Sequence, residues 1–365
     1  MTQIDAPIFI SGHTRSGTNL LLRLIDGADE LVAPPGEGKL NILRRFNQLS
    51  SFENVWENIE LNIDAPKIEQ AFAETVLSKS SSSFNGGVFS LVHSLYDLFA
   101  AFKYPESSSQ RRWIEKNHNL EFYFARAKLL FGEIKMVYVL RNPFDNWLSW
   151  KKYAMNRNLH NRKNALDLSA TRMYINLLTH VINEIKEQEI GLNQYSDISQ
   201  MLIHYGLKAD AKGQLLDFLF SADSMSASEN LGELFSVRND PKSLEPEHCF
   251  ALNYIFMFNK ASYLADQYPQ QFKIVRYEDL VCHTEQTMIE VANFCQYTHA
   301  DINLRPTDGE NQWGGNSSHN GSSIPGAKVS NASIGLWKDS LDADEVNNIR
   351  HVLEQKKVAQ QILRD

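Results

Sequence analysis

A chain of 365 residues with 44 acidic against 36 basic side chains, a formal charge of −8, has no global pull toward nucleic acid or anionic lipid, both of which need clustered Lys and Arg. Its 43% hydrophobic content can fill a large core, as one enlarged α/β domain or as two. Three cysteines, Cys249, Cys282 and Cys295, are an odd number without metal-ligand spacing, so they read as buried thiols and no metal is expected.

The first residues lack the basic and long apolar regions of a signal peptide, and no apolar stretch reaches about 18 residues. A cytoplasmic protein without a transmembrane segment is the expectation. Ile8 to Ser11 is short, apolar and followed by glycine, a buried strand; Leu20 to Leu22 and Leu24-Ile25 continue at helical spacing. Between them, Gly12 and Gly17 fit the opening of the phosphate-binding pattern G-x-x-x-x-G-K-[ST], but Thr18 stands in place of the lysine and Asn19 in place of the magnesium-binding hydroxyl. The glycines let backbone wrap closely around an anion, and the following helix aims its N-terminal N–H groups at the loop. Arg15 adds a fixed charge that can fork onto phosphate or sulfate oxygens. A kinase with a degenerate loop would need magnesium and a lysine on the phosphates, and nothing replaces both.

Pro34 to Gly38 carries Glu37 after the first helix, and the serine run at 78 to 83 reads as a loop. Arg112 to Glu115 is a further strand, leading into Lys116-Asn117-His118. Met136 to Leu140 repeats the strand and turn, with Pro143 suited to the first turn of the amphipathic helix that follows. Arg141 then lies at the carboxyl end of its strand and Ser149 about two turns into the helix, so a guanidinium and a hydroxyl can grip one phosphate from two sides. From about 150 to 268 strand signals fade. Leu166 to Ile185, Lys212 to Phe220 and Cys249 to Ala265 show helical spacing, which predicts a helical insertion within a single domain spanning 1–365. Phe272 to Val275 is another strand, Asp308 to Ser333 reads as loops, and Asp342 to Leu363 as a closing helix. Strands alternating with helices predict a parallel sheet covered on both faces.

Arg15-Ser16-Gly17-Thr18 after the first strand, together with Arg141 to Ser149 after a later one, resembles the sulfotransferases that use 3'-phosphoadenosine 5'-phosphosulfate (PAPS). Arginine in R-S-G-T is closer to the branch containing tyrosylprotein and many bacterial sulfotransferases than to the cytosolic enzymes. The resemblance implies an α/β fold of the P-loop-NTPase-like type, a parallel sheet flanked by helices. It implies a 5'-phosphosulfate loop of Arg15, Ser16, Gly17, Thr18 and Asn19, and a 3'-phosphate site of Arg141 and Ser149. Tyr277, in Tyr277-Glu278-Asp279-Leu280, matches a tyrosine near the nucleotide; Ser317, in Gln312 to Ser318, falls in a loop similar to one of bacterial members; Lys328, nine residues before Trp337, stands where that branch has a cofactor-binding lysine.

Sulfuryl transfer needs cations for the leaving group, for which the loop N–H groups, Arg15 and Lys116 are candidates, and a base for the acceptor's proton. Glu37 sits near the glutamate of the tyrosylprotein branch, although Gly38 replaces that motif's second Glu; His118 matches the K-x-H of the cytosolic enzymes. Arg15 marks the glutamate branch and so favours Glu37, whereas an imidazole titrates near neutrality and needs less tuning. The expected partners are a nucleotide donor and a hydroxyl-bearing acceptor, with carbohydrate, lipid, small alcohol and peptide all open. The other reading is a non-catalytic nucleotide-binding or scaffold protein on the same fold.

Overall fold

β1, Ile8–Gly12, is buried at every position, as a strand covered on both faces must be. It belongs to a computed structural model that describes residues 6–26, 28, 30–33, 112–157, 245–298, 304–308, 311–312, 328–355 and 362. The chain divides into two units, Met1–Asn142 with Met257–Leu336, and Pro143–Phe256 with Trp337–Asp365.

In the first unit β1 pairs in parallel with β3, Arg112–Lys116, on one side and β4, Lys135–Leu140, on the other. β2, Leu31–Val32, and β5, Phe272–Arg276, complete a five-stranded parallel sheet of order β2-β3-β1-β4-β5. β1, β3, β4 and β5 agree to within a residue or two with the strands expected from the sequence, because such runs pack well on a pleated surface buried from both sides, whereas the two-residue β2 was not foreseen. Ile8, Ile10, Val137 and Val139 share one face with Leu21, Leu24 and Ile25 of α1, Thr18–Ile25. The same core takes in Leu280 of α5, Tyr277–Cys282, and Met288 and Val291 of α6, Thr284–Cys295. Phe9, one residue out of phase, points the other way and meets Trp113 edge-on at 5.5 Å. Trp113 in turn packs against Phe131 of α2, Phe124–Phe131.

Arg112 fastens the amino end of this sheet. Its Nε and Nη2 donate to the carbonyl of Ala6 at 3.0 and 2.8 Å, while Nη1 donates to the carbonyls of Cys295 at 2.8 Å and Gln296 at 3.0 Å. A buried guanidinium that donates to carbonyls of two distant chain segments serves as a rivet between them.

The second unit contains α3, Pro143–Arg157, α7, Trp337–Ser340, and α8, Ala343–Gln355, with the part of α4, Pro246–Gln267, up to Phe256. Trp147 of α3 is fully buried, stacks on Trp150 at 5.3 Å and donates its indole N–H to Glu345 at 3.0 Å. Lys151 reaches the same carboxylate oxygen at 2.6 Å. Asp342 and Glu345 cap α8 reciprocally: Glu345 N–H donates to Asp342 at 2.8 Å, and Asp342 N–H to Glu345 at 3.3 Å. Burial pushes the Glu247 carboxyl up from its ordinary range, reinforced by the charges of Glu345 and Glu245.

Three expectations need restating. At the start of the stretch read as loops from Asp308, Thr307–Asp308 and Asn311–Gln312 pair as a small antiparallel hairpin, β6 and β7. Cys282, at the end of the one-and-a-half-turn helix α5, is exposed, whereas Cys249 and Cys295 are buried. The predicted helices at Leu166 to Ile185 and Lys212 to Phe220, and the serine loop at 78 to 83, lie outside the described residues. Among the described residues no helix is long and apolar enough to cross a membrane.

Candidate functional site

Parallel strands deliver their following turns to one edge of the sheet, and the register shows which turns meet there. Ile10 stands opposite Lys116, Gly12 opposite Val139, and Leu140 opposite Arg276. The turns after β1, β3, β4 and β5 therefore leave side by side, where open α/β sheets collect ligands.

The turn after β1 is built on special backbone. Gly12 has φ 152°, and a Cβ there would lie 2.6 Å from Ser16 Oγ and 2.7 Å from the Val139 carbonyl. Ser16 N–H donates to the His13 carbonyl at 3.0 Å, closing the loop. Arg15 holds a left-handed φ of 73°, a conformation that costs a non-glycine residue about 1–2 kcal/mol. Gly17, at φ 105°, lies so close beneath Tyr277 that a Cβ would come within 2.3 Å of the ring. α1 starts at the next residue, so its first N–H groups and positive dipole end open onto this loop.

The turn after β4 supplies Arg141. One guanidinium nitrogen donates to the carbonyl of Arg15 at 3.1 Å and another to the carbonyl of Ser333 at 3.0 Å, while Cζ sits 4.5 Å from the centre of the Tyr277 ring. The Tyr277 hydroxyl and Ser333 Oγ are 2.7 Å apart. Asn142 N–H donates to Glu278 at 2.7 Å, joining the β4 turn to the start of α5. Arg141 thus steadies the strained backbone at Arg15 and stacks on the ring that covers Gly17.

The turn after β3 adds Lys116 and His118. Lys116 is buried at the strand's end; Asn117 N–H donates to the Ile10 carbonyl at 3.1 Å, and His118 N–H to Asn117 Oδ1 at 2.9 Å. Beyond it, Ser11 Oγ accepts the Leu120 N–H at 2.8 Å and donates to Glu121, a fully buried carboxylate in the 3-10 turn Leu120–Tyr123.

Of the residues singled out in the sequence, Arg15, Ser16, Gly17, Thr18, Asn19, Arg141 and Tyr277 are gathered in and around the first two turns, with Lys116 and His118 on the turn after β3. Ser149 lies on α3 in the second unit, and Lys328 is an exposed residue of the first. Glu37 and Ser317 lie outside the described residues. The sequence reading missed Ser333, Ser11 and Glu121. Ser333 is hidden in a polar stretch without periodicity; Ser11 and Glu121 were visible only as polar residues at an apolar strand's end and within the run Leu120 to Phe124.

The arrangement suits an anion: helix N–H groups, closely approachable backbone and two arginines brought together by Arg141's bond to the Arg15 carbonyl. The sequence gives no match among curated proteins. Among solved structures, the Sulfotransferase Domain from the Curacin Biosynthetic Pathway aligns over 96% of this chain and 97% of its own at 15% identity, with a TM-score of 0.40. The Sulfotransferase Domain from the Synechococcus PCC 7002 Olefin Synthase covers 96% and 94% at 13% identity with a TM-score of 0.43; a sulfotransferase from Alicyclobacillus acidocaldarius covers 99% and 96% at 12% and 0.40. These superpositions are loose and carry no weight beside the sequence match. A family model described as the sulfotransferase family matches residues 7–199, just over half of the chain. That span runs through β1, the glycine loop, β3 and Arg141, and with it the chain belongs to the sulfotransferase family.

Proposed function

We propose that this chain transfers a sulfuryl group from PAPS to a hydroxyl or amine acceptor, as a member of the R-S-G-T branch and as one domain with a helical insertion at about 150–268. In the reaction the bond between sulfur and the 5'-phosphate oxygen breaks, an acceptor oxygen or nitrogen bonds to sulfur in line, and the acceptor's proton passes to a base. Adenosine 3',5'-bisphosphate leaves. The observation that most supports this reading is the bond from Arg141 to the carbonyl of Arg15, which couples the loop suited to the phosphosulfate with the arginine suited to the 3'-phosphate.

In this reading the N–H groups from Gly17 to Asn19, with the Ser16 hydroxyl, Arg15 and Lys116, meet the charge that grows on the leaving phosphate. Arg141 and Ser149 hold the 3'-phosphate, Tyr277 walls the nucleotide, and Ser317 and Lys328 add contacts to it. Glu37 or His118 takes the proton. No step calls on a metal.

Calorimetry with adenosine 3',5'-bisphosphate tests the donor assignment directly. Arg141→Ala should weaken its binding by roughly 10- to 100-fold, the loss expected for charge-assisted hydrogen bonds, and weaken the 3'-dephospho analogue far less. Equal losses for both would leave Arg141 as a support for Arg15 and Ser333 alone. Radiolabelled donor and an acceptor panel, run on Glu37→Ala and His118→Ala, assign the base: the variant that binds bisphosphate normally but transfers nothing has lost it. Bisphosphate binding without transfer to any acceptor would favour the non-catalytic reading.

A further inference from the structure

The ladder between β1 and β3 ends where Asn117 N–H meets the Ile10 carbonyl. Past that bond the chain makes a turn through His118 and Asn119, the latter in the left-handed region at φ 64°. The hydroxyl of Ser11 makes the next tie back to β1. Ser11 is the residue immediately before Gly12, it is fully buried, and its hydroxyl both accepts the Leu120 N–H and donates to Glu121. Glu121 is itself fully buried between Leu120 and Phe122. A carboxylate taken out of water must be met by hydrogen-bond donors, and the Ser11 hydroxyl is one of them.

We propose that Ser11 and Glu121 are a positioning pair, which holds the Lys116–Asn119 turn at a fixed distance from the Gly12–Thr18 loop. The pair touches neither donor nor acceptor. It acts through His118, since the ladder to Ile10 already fixes Lys116, and it rests on the donor site proposed above. Because Ser11 is adjacent to Gly12 in the chain and hydrogen-bonded to the residues just after Asn119, one hydroxyl joins the anion loop to the turn that faces the same sheet edge.

The test uses adenosine 3',5'-bisphosphate as probe, with nuclear magnetic resonance of the His118 ring, assigned by its loss in His118→Gln. In the unaltered protein, saturating bisphosphate should move the His118 ring resonance. In Ser11→Ala that movement should fall to less than about half while the dissociation constant from calorimetry stays within about two-fold, a change of under 0.5 kcal/mol. Glu121→Gln, which keeps an acceptor oxygen, should retain the response; Glu121→Met, which keeps the volume without an acceptor, should lose it. That second pair repeats the comparison from the other end of the bond should Ser11→Ala fail to fold. A full His118 response in both Ser11→Ala and Glu121→Met overturns the positioning role, as does a parallel loss of affinity and response. Absence of bisphosphate binding by the unaltered protein is a separate result: it overturns the donor reading and removes the basis for this one.

Discussion

Gly17 has no room for a methyl group, and its φ of 105° would strain any side chain even if room were made. Gly17→Ala should therefore cost about 1–3 kcal/mol of stability and abolish bisphosphate binding, read from melting and calorimetry together. Gly132 is the control: its φ is also positive, at 69°, but nothing lies within 4 Å of an added Cβ. Gly132→Ala should cost about 1–2 kcal/mol and leave binding untouched. Thiol chemistry separates the cysteines in the same way. Burial pushes the Cys295 thiol up to about 12, so it stays protonated and inert, and Cys249 is buried too. A disulfide-exchange reagent should consume one thiol in the native protein, that of exposed Cys282, and none in Cys282→Ser.

At the scale of elements, α8 depends on a single carboxylate that receives Trp147, Lys151 and its own capping partner, with Glu247 close by. A carboxyl that holds its proton more tightly in the folded chain than in the unfolded one loses stability as pH climbs above its ordinary value of 4.5. Glu247→Gln should accordingly raise the melting temperature at pH 7 and flatten the decline in stability above pH 4.5. The strands were legible in the sequence because Ile8-Phe9-Ile10 and Met136 to Leu140 are apolar on both faces, a pattern that only a doubly covered sheet satisfies. The hairpin was not, since Thr307-Asp308 and Asn311-Gln312 carry no apolar alternation to mark them as strands. The site divides similarly. Arg15, Gly17 and Arg141 announce themselves because anion binding demands glycine and guanidinium at strand ends. Ser333 and the Ser11–Glu121 bond arise from contacts across 192 and 110 positions, which local spacing does not encode.

Across the whole molecule the charge is −8, yet the proposed ligand is a polyanion. Binding must then come from local groups, and its effect on folding follows from mass action: bisphosphate at about 100 times its dissociation constant should add about 2.7 kcal/mol, seen as a raised melting temperature. Arg141→Ala should show a smaller rise at the same ligand concentration. The order of the strands has a consequence for biosynthesis. β1 is translated first but lies in the middle of the sheet, and its partners Ile114 and Lys135 emerge more than a hundred residues later. At roughly 5–20 residues per second, a ribosome leaves this apolar segment unpaired for about 5–20 s. The Arg112 rivet on Ala6 cannot also engage the carbonyls of Cys295 and Gln296 until that later segment has left the exit tunnel. The nascent chain is thus a natural client for a chaperone that shields Ile8-Phe9-Ile10 during that interval.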